Sequence, residues 1–390
     1  FWGAVLRGAV PTILAYPNFK MDRKKYAFGL AGVTAKTRAR LVIADSEFPP
    51  DLSALIDLPG GSSLREISRQ AVEASLPFNS DPRVNPDDPV LLQHSAGTTG
   101  LQKGVMLSHR QVLRQLRKLA RHLELHRTDR IATWLPLYHD MGLIACFLLP
   151  LVAGLPMVVQ TPDDWVLRPL SFLQIVTRFR ATRSWLPNFA FAFLSRSARP
   201  AQLEGLDLSS LQSLINCSEP VTDAAMRSFY ETFKDHGLSA SAMETSYAMA
   251  ENVFAVTHSV RGRPAVRLSV DRGRLTPGKE IRATGDLGRS LTLVSSGTCL
   301  EDTELQVRVR NRRLAEGEVG EIWVRSDCLF DSYVESADSE EVLEGDWFKT
   351  GDVGFLSRGE LYVLGRLDDV MIMFSKMDIE VVNKAKEIFR

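Results

Sequence analysis

The chain has 390 residues, of which 45% are hydrophobic and 24% charged; this is material for two or three domains, or one large domain with subdomains, around a sizeable core. Lys plus Arg number 47 and Asp plus Glu number 47, so no net field draws the chain onto nucleic acid or an anionic membrane. Cys146, Cys217, Cys299 and Cys328 lie far apart, which excludes a zinc-ligand spacing and reads as reduced, intracellular thiols. No apolar run reaches the roughly 18 residues of a membrane span.

In chain order, the opening Phe1-Trp2-Gly3 carries neither Met nor a charged leader, and the expectation is a start inside a domain. Pro89 to His94 reads as a buried strand. Ser95-Ala96-Gly97-Thr98-Thr99-Gly100-Leu101-Gln102-Lys103-Gly104 then reads as a loop. Ser108 is expected to cap a helix with Val112, Leu113, Leu116, Leu119 and Leu123 on one face. Arg110, Arg114, Arg117, Lys118 and Arg121 recur on that helix, as a solvated face or as a docking stripe for an acidic partner. Ile131 to Leu135 and Pro156 to Gln160 read as strands. A buried helix from about Met141 lies between them and runs into a turn at Gly154. Ser171 to Arg178 reads as helix, Ser184 to Leu186 and Leu214 to Asn216 as strands, and Thr222 to about Asp235 as helix. This β-α alternation predicts a largely parallel sheet with helices on its faces.

After about residue 260 the pattern changes. Arg261 to Arg289 is polar and rich in Gly, Pro and Arg, and reads as a loop or insertion. Leu291 to Ser295, Glu304 to Arg310, Glu321 to Arg325 and Glu360 to Leu364 read as short strands of an antiparallel, barrel-like subdomain. Asp378 to Phe389 reads as a last short helix.

The loop from Ser95 to Gly104 sits between a predicted strand and a predicted helix, a setting suited to a polyphosphate. Glycines turn backbone amides towards an anion, Thr98 and Thr99 add hydroxyls, and Lys103 adds a mobile positive charge. Gln102 stands where a Walker A loop requires Gly. A plain Gly-Thr surface turn is the alternative.

With Lys103, this loop resembles the phosphate loop of the acyl- and aryl-activating superfamily of adenylate-forming enzymes, in which Pro usually precedes the Lys. Further blocks follow in the family's order. Leu135-Pro136-Leu137-Tyr138-His139-Asp140-Met141-Gly142 is similar to the block lining the acyl site. Pro187-Asn188-Phe189-Ala190-Phe191 and Asn216-Cys217-Ser218-Glu219-Pro220-Val221 resemble those of the fatty acyl-AMP ligase branch. Tyr247-Ala248-Met249-Ala250-Glu251 resembles the block holding adenine and metal. Thr350-Gly351-Asp352 and Gly365-Arg366-Leu367-Asp368-Asp369 resemble the ribose and hinge blocks. Arg261 to Arg289 resembles an insertion that this branch carries and acyl-CoA ligases lack.

The resemblance implies an α/β fold: the large N-terminal domain of these enzymes, with stacked β-sheets, flanking helices and a small β-barrel-like subdomain. The small C-terminal domain, with its lysine used in adenylation, is expected to be mostly absent. Residues 1–260 would form ATP- and acyl-binding subdomains lacking their first part. Residues 261–366 would form the insertion and the β-rich subdomain, and 367–390 the hinge and the start of the small domain.

The implied activity is ATP-dependent activation of a fatty or other carboxylic acid to acyl-AMP, followed by transfer to the phosphopantetheine thiol of an acyl carrier protein, in the cytoplasm. The alternatives are transfer to coenzyme A, nucleotide binding without catalysis, and a carrier-docking module. Thr98, Thr99, Lys103, His139 and Glu251 would be catalytic, with Mg2+ on Glu251 and Thr98. Ser95, Gly97, Gly100, Ser218, Glu219, Pro220, Ser246, Tyr247, Ala248, Asp352 and Arg366 would hold ATP. Met141, Gly142, Asn188, Phe189 and Phe191 would meet the acyl group, and Asp368 would be the hinge. Each has a plainer alternative: a core Tyr or Phe, turn chemistry at Thr350-Gly351-Asp352, a structural His, or a surface ion pair.

Overall fold

The computed structural model describes residues 1–17, 22–46, 48–53, 55–56, 58, 62–67, 83–94, 103–310, 312–334 and 342–367. The residues Ser95, Gly97, Thr98, Thr99, Gly100 and Gln102, the hinge residue Asp368 and the expected Asp378 to Phe389 helix lie outside these. Chain contacts divide the molecule into two units: Phe1–Arg110 with Phe330–Ser339, and Gln111–Leu329 with Glu340–Arg390.

In the first unit, strands β1 (Leu41–Asp45) and β2 (Ser63–Ile67) pair in parallel. Strands β3 (Pro89–His94) and β4 (Gly104–Ser108) form an antiparallel ribbon in which His94 opposes Gly104. The stretch following the predicted phosphate loop is therefore a strand first, and Ser108 ends that strand. The helix begins at His109 and runs to His122. Its first amides donate to the main chain, His109 to the Asp88 carbonyl at 3.1 Å and Arg110 to the Pro86 carbonyl at 2.7 Å, which satisfies groups that a capping side chain would otherwise serve.

In the second unit, a seven-stranded sheet carries β5 (Ile131–Thr133), β6 (Met157–Val159), β7 (Arg183–Leu186), β8 (Ser213–Asn216), β9 (Met243–Ala248), β10 (Ala255–His258) and β13 (Thr298–Cys299). Their order is β13-β10-β9-β8-β7-β5-β6, and the run from β9 to β6 is parallel. The parallel strands β5, β7 and β8 are fully buried, as strands covered on both faces must be, whereas the edge strand β6 is partly exposed. Val112, Leu116, Leu119 and Leu123 are buried along one helix face. Leu113 is 37% exposed and lies off it, as the 3.6-residue period requires of a residue adjacent to Val112.

The apolar stretch after β5 is a π-helix over Met141–Leu148, followed by an α-turn Leu149–Ala153 that ends on left-handed Gly154. A side chain at Gly142 would lie 2.2 Å from the Pro136 carbonyl oxygen, so glycine permits the close return of this segment onto the preceding turn. π-Helices are rare and concentrate at functional sites.

The stretch Arg261 to Arg289 contains more structure than its composition predicts. Strand β11 (Arg267–Asp271) pairs antiparallel with β12 (Ser290–Val294). Val270 and Leu275 join a core with Val319, Val353, Phe355 and Tyr362. The expected antiparallel sheet is six-stranded, with β14 (Thr303–Val309), β15 (Arg312–Arg313), β16 (Gly320–Ser326), β17 (Leu343–Glu344), β18 (Trp347–Ser357) and β19 (Glu360–Arg366). One of its faces carries a cation–aromatic ladder, with Arg308 4.0 Å from the Trp323 ring and Arg325 5.0 Å from that of Trp347.

Candidate active site

Parallel sheets place functional groups in the loops leaving the carboxyl ends of their strands. In this chain the segments after β5, β7 and β8, together with the end of β9, carry most of the residues singled out from sequence. After β5, His139 Nδ1 lies 2.7 Å from Asp140 Oδ1, and Asp140 also accepts from the Met141 amide at 2.6 Å. Burial alone would lower the His139 pKa, but the Asp140 and Glu219 carboxylates outweigh it and raise it. The imidazolium is thereby favoured beside two carboxylates.

After β7, Asn188 opens the helix Asn188–Ser197. Its Oδ1 accepts from Asn216 Nδ2 at 3.1 Å and from the Thr222 amide at 3.0 Å. The amide thus ties together the ends of β7 and β8, a bracing position for a residue expected to touch substrate. Phe189 is half exposed and stands edge-on to Trp134 and Trp165, whose rings stack at 3.7 Å. Phe191 has no exposed surface and packs edge-on against Phe229, so the plainer of its two expectations, a core aromatic, describes it. The Trp134–Trp165 pair was not singled out from sequence. The residues are far apart in the chain, and only the parallel pairing of β5 with β6 brings their following segments together.

After β8, Ser218 takes φ 70°, a left-handed conformation uncommon outside glycine. Its Oγ lies 3.7 Å from Met141 Sδ, and Glu219 Oε2 accepts from the Phe189 amide at 2.9 Å. Pro220 follows, so Ser218-Glu219-Pro220 forms a bent, fixed segment beside Met141 and Phe189.

At the end of β9, Ser246 donates to the Thr257 carbonyl of β10 at 2.7 Å, so its hydroxyl serves the sheet. The Tyr247 hydroxyl donates to Asp352 Oδ2 at 2.5 Å. Arg366 Nη1 lies 3.2 Å from Asp352 Oδ1 and donates to the Thr350 carbonyl at 3.1 Å. Two residues expected to hold a nucleotide, Tyr247 from β9 and Arg366 from β19, therefore converge on the carboxylate of a third, Asp352 of β18. Burial raises the Asp352 pKa, while Arg366 and the Tyr247 hydroxyl pull it down without cancelling that rise. Burial also drives the Tyr247 phenol well above its ordinary value, reinforced by the Asp352 charge, which keeps it a donor.

Beyond half-buried Ala248, Ala250–Asn252 form a single 3-10 turn carrying Glu251. Val253 follows with φ 63° and ψ −50°, and the Phe254 amide donates across it to the Asn252 carbonyl at 2.7 Å. This is a γ-turn of the strained, positive-φ kind, on a β-branched residue. The Glu251 charge is close enough to contribute to raising the Arg366 pKa. Among the described residues no three His, Cys, Asp or Glu side chains form a metal cluster. A nucleotide-bound Mg2+ requires only one or two protein carboxylates, with phosphates and water completing its shell, and half-buried Glu251 fits that requirement.

In the first unit, Lys103 enters β4 with its Nζ 5.0 Å from the centre of the Tyr333 ring. Val105 and Tyr333 form an isolated antiparallel bridge, which fixes the main chain beside that contact.

The basic stripe is largely engaged within the protein. Arg110 pairs with Asp87 at 2.5 Å, Arg114 and buried Lys118 both pair with Asp327, and Arg121 pairs with Glu301 at 2.8 Å.

The fold is an α/β one in which buried Tyr247, partly buried Asp352 and exposed Arg366 meet beside a strand end. Residues 2–334 match the AMP-binding enzyme family, and the chain belongs to that family. It is similar to the medium-chain-fatty-acid–[acyl-carrier-protein] ligase TtuA of Teredinibacter turnerae, 30% identical over 339 residues, covering 81% of this chain and 53% of the relative. The chain thus spans about half the length of the curated relatives it matches. A solved structure from a study of fatty acyl-adenylate ligases of E. coli and L. pneumophila superposes with a TM-score of 0.88 at 29% identity, covering 94% of this chain and 67% of that one. The fatty acyl-adenylate ligase of L. pneumophila in complex with acyl adenylate and pyrophosphate gives 0.83 at 28% identity, covering 96% and 66%. The fold is that of the large domain of adenylate-forming enzymes. No helix among the described residues is long and apolar enough to cross a membrane.

Proposed function

We propose that this chain carries the ATP- and acyl-binding part of a fatty acyl-AMP ligase. The carrying observation is the convergence of Tyr247 and Arg366 on Asp352, 2.5 and 3.2 Å away. A fixed, partly buried carboxylate is suited to accept hydrogen bonds from vicinal ribose hydroxyls.

A fatty carboxylate oxygen attacks the α-phosphorus of ATP, a new P–O bond forms, and the bond to pyrophosphate breaks. The carboxylate is already ionised at neutral pH, so no base is required. Two anions must nevertheless meet, so the protein acts by alignment and charge neutralisation. Lys103 and the loop holding Ser95, Gly97, Thr98, Thr99 and Gly100 serve the phosphates. His139 sits by the reacting carboxylate, and its raised pKa favours a positive charge there. Mg2+ on Glu251, shared with Thr98, would offset phosphate charge. Ser218, Glu219 and Pro220 would face the adenine opposite Tyr247, with Ala248 and the Ser246 main chain completing that wall. Met141, Gly142, Asn188 and Phe189 would border the acyl group, and Phe191 would back them from the core.

The acyl group would then pass to the phosphopantetheine thiol of an acyl carrier protein, in the cytoplasm, with Asp368 as the hinge and residues 367–390 leading into a small C-terminal domain. The boundary at 260 would separate the ATP- and acyl-binding subdomains from the insertion-bearing β-rich part, and that at 366 would separate the β-rich part from the hinge. The β11–β12 hairpin, a feature like the insertion of this branch, supports the carrier over coenzyme A.

The test is incubation of the full-length protein with fatty acid, ATP and coenzyme A. Trapped acyl-AMP that is discharged by a carrier protein is expected. Abundant acyl-CoA would favour a coenzyme A ligase instead, and ATP binding without any turnover would leave a non-catalytic nucleotide-binding protein.

A further inference from the structure

Thr350-Gly351-Asp352 is part of a strand, not a free turn. Across β16 and β18, Glu321 opposes Val353 and Trp323 opposes Lys349. Two steps along β16 therefore match four along β18, leaving Thr350, Gly351 and Asp352 opposite Ile322 alone. Such bulges re-aim side chains and gather beside active sites.

The bulge is held at each residue. Thr350 Oγ1 donates to the Ile322 carbonyl at 2.7 Å and accepts from the Asp352 amide at 3.0 Å. The Thr350 carbonyl accepts from Arg366 at 3.1 Å. Gly351, in the left-handed region at φ 69°, donates its amide to Glu321 Oε1 at 3.2 Å. The other Glu321 oxygen accepts from Trp323 Nε1 at 3.1 Å. Trp323 is itself buried and clamped under Arg308, with their centres 4.0 Å apart. A rigid indole thus sets the carboxylate, the carboxylate sets the Gly351 amide, and the next residue is Asp352. An alternative partner for that amide would aim Asp352 elsewhere, because a main-chain donor must be satisfied once it is removed from water.

We infer that Glu321, held by Trp323, is a positioning residue that fixes the Thr350–Asp352 bulge and so aims the Asp352 carboxylate at the ribose. This rests on the proposed reading that Asp352 accepts from the ribose hydroxyls. Glu321 acts at one remove and touches no substrate.

The experiment compares binding of ATP and of 2′,3′-dideoxy-ATP to the full chain, unaltered and as Glu321→Leu and Glu321→Gln. The unaltered protein is expected to prefer ATP. Glu321→Leu is expected to weaken ATP roughly tenfold, as for a lost hydrogen bond to a charged group, and to leave dideoxy-ATP within about twofold, because that ligand makes no ribose contact to lose. Glu321→Gln keeps one acceptor oxygen for the Gly351 amide and is expected to retain an intermediate preference; it carries the test if the leucine variant does not fold. Equal weakening of both nucleotides, or undiminished preference for ATP in either variant, would overturn the role of Glu321. Equal affinity of the unaltered protein for the two nucleotides would instead overturn the ribose reading, and the role with it.

Discussion

The Tyr247 hydroxyl donates to the Asp352 carboxylate at 2.5 Å across 105 residues of sequence. This contact joins the end of a mostly parallel sheet to a bulge in an antiparallel one, and Arg366 closes it from β19.

Tyr247→Phe keeps the ring and removes the donor. Asp352 then retains Arg366 but loses a hydrogen bond that lowers its pKa. The expected outcome is about tenfold weaker ATP binding. The acid limb of binding should move to higher pH, since the carboxylate must be ionised to accept from ribose. Isothermal titration at pH 5 to 8 checks both effects.

Gly142→Ala tests the close return of the π-helix. A Cβ there would lie 2.2 Å from the Pro136 carbonyl, a main-chain atom that cannot rotate away. A loss of about 3 kcal/mol in unfolding free energy is expected. Fatty-acid-dependent turnover should fall as His139 and Met141 shift. Urea titration and pyrophosphate exchange measure the two effects, and a variant of normal stability would show that this segment yields easily.

At the opposite ends of the parallel strands from the proposed site, buried Glu244 on β9 lies 4.0 Å from His258 on β10. Burial pushes the Glu244 carboxyl up to about 7, against the pull of Arg183 and other partners, and pushes His258 down to about 3. An unfolded glutamate has the ordinary value of 4.5, so between these pH values the folded chain binds the extra proton. Glu244 alone makes stability fall as pH rises from about 4.5 through 7, whereas His258, ordinarily at 6.5, makes it rise from about 3 through 6.5, so the two offset each other and the net fall is confined to about pH 6.5 to 7. Glu244→Gln should leave only the His258 contribution, so that stability rises with pH up to about 6.5 and no longer falls through 7 in urea titrations at a series of pH values. An unchanged slope would show that Glu244 ionises normally in the fold.

The sequence motifs located the loops after β7 and β8 well, because asparagine, proline and polar turn residues mark strand ends where chain reversal and ligand contact coincide. They could not show that Asn188 is a brace, since that follows from the side-by-side pairing of β7 with β8. Arg261 to Arg289 looks like a loop because its arginines hide a short alternation, with Leu268 and Val270 inward and Arg267 and Ser269 outward. The basic stripe looks free because its acidic partners, Asp327 and Glu301, are about 180 to 213 residues away in sequence. The place of Thr350-Gly351-Asp352 in a bulge, and the role of Glu321, depend on register between strands, which local composition does not encode.

Val270→Ala tests whether that hairpin is built into the core. Val270 is fully buried and packs with Leu275, Phe355 and Tyr362. The expected cost is about 2 kcal/mol, read by thermal or urea unfolding. A cost near zero would mean that the hairpin is an appendage.

The most direct test of the central claim is pyrophosphate exchange by the full-length protein over carboxylic acids of increasing chain length, with Asp352→Asn alongside. Exchange that depends on a fatty acid and falls at least about a hundredfold in the variant is the predicted result, since both the ribose contact and the charge facing Arg366 are lost together. Exchange that no fatty acid stimulates, or that Asp352→Asn leaves intact, would contradict it.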